Sequence, residues 1–381
     1  MGADVLEITV NLVKMLVIFL LMVQLVTILV WVERRGSAFI QSRFGPNRVG
    51  PLGLTQLLAD AVKFLMKEEF APERGRKLLF YLAPALALIP GAVAFGSIPL
   101  ANPIHIDQFM AFNHMFGPYD FEFQSFHFGV GIVFVLGISS LGAYALLLAG
   151  WGSGNKYSLM GALRASAQMI SYELALGLSL VGAILVYGTF DFSEMIAQQN
   201  LTFNFEILGH VFHLRRYGIL MQPLGAVLYF ASTFAETNRL PFDLPEAEGE
   251  LVVGYHTEYG GLKMLMFYIG EYGHMMVGSA LFALFYLGGY HVPFLTVDKV
   301  HDFLVQQGLT SNLSSVLTSV FYFVVFLVKI LVLLWVFVWV RWTLPRFRYD
   351  QLMDLGWKTM LPWSLANVIL TAGIVAYVRT R

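Results

Sequence analysis

The sequence of 381 residues contains no cysteine and little charge. Without cysteine, the chain cannot form disulfides, use a thiolate nucleophile, or hold zinc or an iron–sulfur cluster through Cys ligands. Charged residues make up 13% of the sequence, against about 25% in ordinary soluble domains, and hydrophobic residues make up 57%. So little polar surface cannot enclose so large an apolar interior, and we therefore expect the chain to fold in a lipid bilayer.

The sequence also lacks the common ligand patterns of redox and nucleotide sites. A membrane b-type haem needs two histidines that face each other at similar depth, but only His274 of the nine histidines lies well inside an apolar run. The glycine-rich stretch 150–156 lacks the Gly-Lys-Ser/Thr ending of a phosphate-binding loop. No basic patch with interleaved aromatic residues suggests nucleic acid. We therefore expect no metal, redox centre or nucleotide bound by this chain, and no nucleic-acid partner.

What the sequence does contain is a series of apolar runs long enough for membrane helices of about 20 residues. They lie near 12–32, 78–100, 128–150, 165–187, 217–235, 264–290, 316–340 and 360–378. The first run is too long for the core of a signal peptide and is predicted to be a permanent span. Pro84 and Pro90 are expected to kink the second run. The predicted fold is an all-α polytopic membrane protein, a single membrane domain over residues 1–381 with about eight transmembrane helices.

The basic residues predict which side each connection faces. If the chain starts outside, most of its 24 Lys and Arg residues fall in inner connections. The outer side then holds Arg215, Arg216, Lys299, Arg379 and Arg381. This asymmetry follows the positive-inside rule, and eight spans place both termini outside. The cytoplasmic connections are therefore predicted at 33–77 and 236–263, among others.

The first of these connections contains an amphipathic pattern. From Leu54 to Phe70 the apolar residues recur at helical spacing, whereas Asp60, Lys63 and Lys67 occupy another face. This pattern predicts a helix that lies along the membrane surface.

Three charged residues fall within predicted spans, namely Glu173, Glu271 and Lys329. A charge at such depth costs several kcal/mol, on the order of 3, unless it is paired or hydrated. Two interpretations stay open: structural ion pairing between helices, or a hydrated route for protons or ions.

The stretch 235–259 is unusually acidic, with six of the chain's 25 acidic residues against one base, Arg239. The acids are Glu236, Asp243, Glu246, Glu248, Glu250 and Glu258. The stretch could be a solvated loop that leads into a helix. The prolines and apolar residues between the acids favour instead a partly buried loop of fixed conformation, whose crowded carboxylates raise one another's pKa and exchange protons.

Five separate blocks, in this order, carry a resemblance to a known family. They are WVERRGSAFIQSRFGPNRVGPLGLTQLLADAVKFLMKEE, RASAQMISYELALG, FAETNRLPFDLPEAEGELVVGYHTEY, FYIGEY and RWTLPRFRYDQLMDLGWKTMLP. Together they resemble the H-subunit family of proton-pumping NADH:quinone oxidoreductase, respiratory complex I, which mitochondria carry as subunit 1.

The resemblance implies a place in the enzyme and a set of partners. A member of this family would lie between the peripheral redox arm and the membrane arm, in a prokaryotic cytoplasmic (inner) membrane or, as the less favoured alternative, a mitochondrial inner membrane. It would form much of the tunnel through which the quinone tail enters from the bilayer. FMN and iron–sulfur clusters would belong to partner subunits, with quinone as the substrate. Further partners would be small membrane subunits that lead to antiporter-like subunits.

The resemblance also implies roles for individual residues. The residues that match the tunnel-side blocks are Glu33, Arg34, Arg35, Gln41, Arg43, Asn47, Asp60 and Phe64, together with Phe242. Those that match the acidic loop and the buried acids are Glu236, Arg239, Asp243, Glu246, Glu248, Glu250, Glu258, Glu173 and Glu271. With Lys329, the second group is predicted to couple quinone reduction to proton translocation.

Two other functions fit parts of the sequence. The membrane subunit of an energy-converting hydrogenase would share the fold but use no quinone, and the blocks GPNRVG and PFDLPEAEGELV favour the quinone enzyme over it. A stand-alone secondary transporter is typically built from repeated halves with broken helices, and no such repeat is visible.

Overall fold

The computed structural model describes residues 2–73, 75–106, 109–111, 114–116, 119–207, 210–243, 253–293 and 295–380. Most of these residues are helical. In the first half of the chain the helices are α1 (Gly2–Ile40), α2 (Gln56–Met66), α3 (Lys77–Ser97), α4 (Gly131–Ser139), α5 (Leu141–Gly152), α6 (Lys156–Tyr187) and α7 (Phe192–Asn200). In the second half they are α8 (Gly218–Met221), α9 (Pro223–Glu236), α10 (Gly261–Tyr286), α11 (Val297–Gln306), α12 (Ser311–Thr343), α13 (Tyr349–Asp354) and α14 (Leu361–Arg379). Short 3-10 turns lie at Pro51–Gly53 and Gly254–His256, and a π-helical turn at Leu355–Met360 joins α13 to α14.

The all-α prediction omitted three short antiparallel strand pairs in the connections after α3 and α7. β1 (Ile104–Ile106) pairs with β4 (Tyr119–Phe121), and β2 (Phe109–Ala111) pairs with β3 (His114–Phe116). β5 (Thr202–Ile207) pairs with β6 (His210–Arg215), with Thr202 opposite Arg215. The remainder of the predicted class is confirmed, since the described chain is otherwise built of helices.

Six segments are long and apolar enough to cross a membrane. They are Ile8–Ile40, Lys77–Ser97, Gly131–Gly152, Lys156–Tyr187, Ser311–Thr343 and Tyr349–Val378. They coincide with six of the eight predicted runs. The run 217–235 is divided at Gln222 into α8 and α9. Because α9 has 14 residues, it rises only about 21 Å, less than the hydrocarbon core of about 30 Å.

The remaining run, 264–290, corresponds to α10. This helix of 26 residues is long enough to cross a bilayer but carries Glu271 and His274 among its apolar residues. Its second half is almost completely buried inside the protein. Protein rather than lipid therefore surrounds the second half of α10, which does not need the apolarity of a lipid-exposed helix.

α10 lies at the centre of the described helices and packs against α3, α12, α1, α2 and α9. One close approach requires glycine: a Cβ atom at Gly270 would lie 2.5 Å from the carbonyl oxygen of Ala87 on α3. α3 is a single helix that contains Pro84 and Pro90, and the expected kink at these residues stays a prediction. The core around α10 is rich in fully buried aromatic side chains, which include Tyr229, Tyr286 and Phe285.

Two helices differ from the sequence prediction in ways that affect the site. α1 extends to Ile40, so that Glu33, Arg34 and Arg35 lie in a helix rather than in the following connection. α2 begins and ends inside the predicted range 54–70. Leu58, Val62 and other apolar side chains on one face of α2 are exposed, as expected for a helix on a membrane surface.

Candidate functional site

A cavity of about 540 Å³ lies between α1, α2, α10 and the end of α12. Its apolar lining includes Val23, Val26 and Val30 on α1 and Ile269 on α10. The charged side chains on its wall are Glu33, Arg34, Asp60, Lys63 and Arg341. Along α1 the lining extends from Val23 to Ser37, about 21 Å of helix. The cavity therefore passes from an apolar section to a charged section along one helix.

Glu33 is the central acid of the charged section. Its side chain is buried, and its Oε2 atom accepts a hydrogen bond of 2.5 Å from the hydroxyl of Tyr272. Its Oε1 atom pairs with the guanidinium of Arg341, and an Nη atom of Arg239 lies 3.9 Å from the same oxygen. One carboxylate therefore faces two cations from α12 and from the segment after α9.

Arg239 is held by a ring as well as by a charge. Its guanidinium lies 4.0 Å from the centre of the Tyr272 ring, within the range of a cation–π contact. Tyr272 thus contacts both the anion, through its hydroxyl, and the cation, through its face. A little further on, Asp243 pairs with Arg346 at 3.1 Å. The buried charges thus continue from the cavity into the segment that begins the acidic stretch.

The α2 side of the cavity has its own ion pair. Asp60 accepts a hydrogen bond from Arg34, and Lys63 lies 3.5 Å from its other oxygen. Burial by itself would raise the pKa of Asp60, but the hydrogen bond and charge of Arg34, with Gln56 and Lys63, outweigh it and lower the pKa. Asp60 is therefore an anion at neutral pH, and it ties α2 to α1.

A turn beside α2 is tied to α1 by two further hydrogen bonds. The carbonyl oxygen of Leu52 accepts from Arg35 at 3.0 Å and from the Trp31 indole at 3.2 Å. Leu52 has a positive φ of 56°, which is uncommon for a residue with a Cβ. Phe64 completes this side because it lines the cavity and lies 6.4 Å, between ring centres, from Tyr268.

Five of the predicted tunnel residues lie beyond the cavity lining, namely Arg35, Gln41, Arg43, Asn47 and Phe242. Arg43 donates to the side chain of Gln41 at 2.6 Å and to Ser37 at 3.4 Å. Asn47 is exposed in the connection that follows. Among the predicted tunnel residues, the structure brings together Glu33, Arg34, Asp60 and Phe64 on the cavity wall, whereas the other five lie outside it.

A second, smaller cavity of about 30 Å³ lies on the other side of α10. Its polar lining consists of Glu236, Thr237, Asn238, Glu271 and His274. The Tyr255 hydroxyl donates a hydrogen bond to Glu271. The Nε2 atom of His274 is buried and has no hydrogen-bond partner in the described chain. Two predicted coupling acids thus line one small cavity together with a histidine.

Glu173 lies on α6 and outside the lining of this cavity. It accepts a hydrogen bond from Ser140, the residue at which α4 ends and α5 begins. Glu236 is near enough to Glu173 for the two carboxylates to repel each other. Glu173, Glu236 and Glu271 therefore form a group of acids on three different helices.

The first part of the acidic stretch, residues 237–243, is largely buried and held by side-chain hydrogen bonds. The Gln168 amide donates to the carbonyl oxygens of Ala235 and Phe242, each at 2.8 Å, and to the side chain of Asn238 at 3.1 Å. Phe242 packs against Tyr172 with ring centres 5.5 Å apart. This part of the predicted loop has a fixed, buried conformation. Residues 244–252, with Glu246, Glu248 and Glu250, lie outside the described residues.

Two further predicted residues lie apart from both cavities. Glu258 accepts a hydrogen bond of 2.8 Å from Asn155 at the start of α6. Lys329 donates to the carbonyl oxygens of Leu287, Gly289 and His291 at 2.6–2.7 Å. These carbonyls follow the C-terminus of α10, where a positive charge is favourable. The structure therefore places Lys329 at the end of α10 and not beside the acids.

The sequence analysis did not identify four residues that contact the predicted acids. Tyr272 and Arg341 contact Glu33, Arg346 contacts Asp243, and Tyr255 contacts Glu271. Their positions within the quoted blocks were the available signal, but the two arginines were used only to assign sides of the membrane. Within the described ranges, no three His, Asp or Glu side chains converge where they could hold a metal ion.

Comparison with known proteins agrees with these observations. Residues 13–372 match the family described as "NADH dehydrogenase". The H subunit of the NADH-quinone oxidoreductase of Bdellovibrio bacteriovorus is 61% identical over 378 residues, which cover 98% of each chain. An H subunit of the same enzyme from Cytophaga hutchinsonii is 39% identical over 91% of this chain and 90% of its own length, and "NADH-quinone oxidoreductase subunit 8" of Rhodothermus marinus is 42% identical over 91% of each chain. A match over nearly the whole chain, with both cavities inside it, shows that this protein belongs to the NADH dehydrogenase family, among the H subunits of NADH-quinone oxidoreductase.

Proposed function

We propose that this chain is the subunit of a proton-pumping NADH:quinone oxidoreductase that admits the quinone and couples its reduction to proton translocation. The observation that carries the proposal is the 540 Å³ cavity, which changes from apolar to charged along α1. A quinone has the same polarity pattern, with an apolar tail and a head that bears two carbonyl oxygens. The names of the relatives favour this function over that of a hydrogenase subunit or a transporter.

The charged section supplies groups suited to the quinone head. Arg34, Lys63 and Arg341 line the cavity and can donate hydrogen bonds to carbonyl oxygens. The valines of α1 and Ile269 offer the tail an apolar wall, which favours it over water. Electrons would come from iron–sulfur clusters and FMN in partner subunits, with the chain itself binding no redox cofactor.

The proposed coupling begins at Glu33. Quinone reduction consumes protons and changes the charge in the cavity, and Glu33 is balanced there between Arg341 and Arg239. At the 3.9 Å between Arg239 and Glu33, a unit charge pair is worth on the order of 4 kcal/mol at an effective dielectric constant near 20. An energy of this size is sufficient to change the ion-pair partner of Arg239 or the acid that carries a proton.

Two short stretches of chain join the partners of Glu33 to the acids of the 30 Å³ cavity. Tyr272 follows Glu271 directly on α10, and Arg239 lies three residues beyond Glu236. A movement of Tyr272 or Arg239 is therefore transmitted to the 30 Å³ cavity. From there Glu236 and Glu173 continue the route toward neighbouring membrane subunits. The loop acids Glu246, Glu248, Glu250 and Glu258 are proposed to take part on the cytoplasmic side.

The proposed topology has eight membrane passages with both termini outside, in a prokaryotic inner membrane. α10 and the α8–α9 pair supply the two passages beyond the six apolar segments. Support comes from the distribution of basic residues and from the position of α10 among the other helices. The partners would be the peripheral quinone-site and iron–sulfur subunits and the small membrane subunits.

The proposal can be tested by filling the cavity from α2. Ala61 lines the cavity, whereas Ala59 on the same helix is exposed and lies outside the lining. We expect Ala61→Phe to raise the KM for a long-tailed quinone, because the added ring occupies the passage, while NADH oxidation by ferricyanide and complex assembly stay normal. Ala59→Phe, the matched control, should leave quinone reduction unchanged. A wild-type KM in an assembled Ala61→Phe complex would reject this cavity as the quinone path.

A further inference from the structure

We infer that His274 is a proton-transfer residue that links Glu236 to Glu271 through the 30 Å³ cavity. The inference rests on the proposed coupling function and adds to it a group other than a carboxylate. Three independent observations support it: the position of the ring, the volume of the cavity and the set of groups that face it.

The first observation is the position of the imidazole. His274 lies three residues after Glu271 on α10, a spacing that places both side chains on one face of the helix, about 5–6 Å apart at Cβ. Its Nε2 atom is buried and without a hydrogen-bond partner in the described chain. A buried polar atom without a partner lowers the stability of the fold by about 1–3 kcal/mol. An apolar residue would avoid this cost, so the presence of a histidine here suggests a function for its side chain.

The second observation is a space kept open beside that nitrogen. A Cβ atom at Gly142 on α5 would lie 3.2 Å from Nε2 of His274. Gly142 therefore lets the ring approach α5 and also lines the cavity. The cavity volume of about 30 Å³ exceeds the roughly 10–15 Å³ that one water molecule needs. The cavity is therefore large enough for one water molecule, and Glu236, Glu271 and His274 are the titratable residues on its lining.

The third observation is the identity of the groups around the ring. The described residues of α3, α5 and α6 that line the cavity are Ala87, Gly142, Leu146 and Met169, none of which titrates. The titratable groups are Glu236 from α9 and Glu271 from α10 itself. Glu271 is in turn held by the Tyr255 hydroxyl. The imidazole thus shares the cavity wall with two carboxyl groups, each able to donate or accept a proton, and the lining residues include no cation.

The transfer conserves protons and charge. The O–H bond of a protonated Glu236 breaks, and by way of the cavity water an N–H bond forms at Nε2, which leaves a carboxylate and an imidazolium. The N–H bond then breaks and an O–H bond forms on the Glu271 carboxylate. The imidazole returns to its neutral form, and one proton has moved from Glu236 to Glu271 without any redox change.

His274→Asn tests the inference because asparagine keeps a polar side chain but cannot carry a proton. In the assembled enzyme in membrane vesicles, we expect NADH-driven quinone reduction and proton pumping to fall together by about a hundredfold, the lower end of the effect of a general acid–base group. Since proton transfer becomes rate-limiting, the ratio of rates in H₂O and D₂O should rise above the wild-type ratio. A purely structural role would lower the rate without changing this ratio.

A second variant keeps His274 and crowds it. Gly142→Ala places a methyl group against Nε2 and should produce a smaller loss with the same rise in the isotope ratio. Gly137→Ala on α4 is the control, because a Cβ atom there meets nothing within 4 Å. Glu236→Gln and Glu271→Gln are measured in parallel. If both Gln variants lose activity while His274→Asn and Gly142→Ala retain wild-type rates, the inference on His274 is overturned and the carboxylate route stands. Wild-type rates in all four variants would reject the proposed coupling function itself.

Discussion

The contacts of Glu33 with Arg341 and Arg239 lead to a quantitative prediction about the stability of the complex. Glu33→Gln removes the anion that faces Arg341 and Arg239 and leaves two cations beside the cavity. Breaking a buried ion pair in this way typically costs about 3–5 kcal/mol. Because the Arg341 side chain is 26% exposed, water can solvate it in part, and we expect a cost near the lower end of that range.

The partners of Glu33 set the order of the other effects. Tyr272→Phe removes one hydrogen bond to a charged group, which is worth about 1.5–3 kcal/mol, and it keeps the ring under Arg239. Arg341→Gln leaves Glu33 with Tyr272 and Arg239 as partners, so its cost should be smaller than that of Glu33→Gln. The double variant Glu33→Gln/Arg341→Gln removes both charges and should cost less than the sum of the single changes.

The measurement is the denaturant midpoint at which this subunit dissociates from the purified complex, followed on native gels. The expected order of midpoints, from lowest to highest, is Glu33→Gln, then Arg341→Gln, then wild type, with a favourable departure from additivity in the double variant. Glu68→Gln, in the exposed connection after α2, is the control and should match the wild type. Additive effects, or a Glu33→Gln complex as stable as the wild type, would show that Glu33 and Arg341 are not coupled.

Three further outcomes follow from other contacts. Asp60→Asn should change the stability of the complex by at most about 1 kcal/mol at neutral pH, because the pair with Arg34 is partly exposed. Since folding lowers the pKa of Asp60, the wild type should lose the same contribution only when the pH falls below about 3.9, the pKa of Asp in an unfolded chain. Thermal midpoints of both proteins at neutral and acid pH will check this. Gln168→Leu, which leaves three buried acceptors without their donor, should lower the thermal midpoint and quinone reduction together, and loss of activity alone would contradict a positioning role. Lys329→Met should destabilise the complex, because three carbonyl oxygens lose their common donor. The ratio of protons pumped to quinone reduced should stay at the wild-type value. A changed ratio would indicate that Lys329 takes part in the coupling.

Sequence reasoning could predict much of the α1–α2 side of the site. The block that contains Glu33, Asp60 and Phe64 covers a single short stretch, and in the structure all three line one cavity. Local helical spacing was sufficient to predict α2 and its exposed apolar face. Patterns of this kind are visible because the residues concerned are close together in the chain.

The other half of the site depends on contacts that local patterns do not contain. Tyr272 and Arg341 reach Glu33 across 239 and 308 residues of sequence. The sequence indicates only that a tyrosine and an arginine occur in their blocks, not that they share a carboxylate. Helix ends were missed for a related reason: charged residues at 33–35 suggest a loop, but their partners on other helices allow α1 to continue through them.

The length of α1 has a mechanical consequence. With 39 residues it measures about 58 Å, more than the roughly 40–45 Å of a bilayer with its headgroup layers. Its lining residues Val23 and Glu33 belong to the same unbroken helix, so neither can shift as an independent part. α1 also packs against α10. A tilt of α1 that widens the cavity at the valines would also move Glu33 relative to Arg341. If the proposed quinone path is correct, entry of the quinone and opening of this ion pair would occur in one displacement.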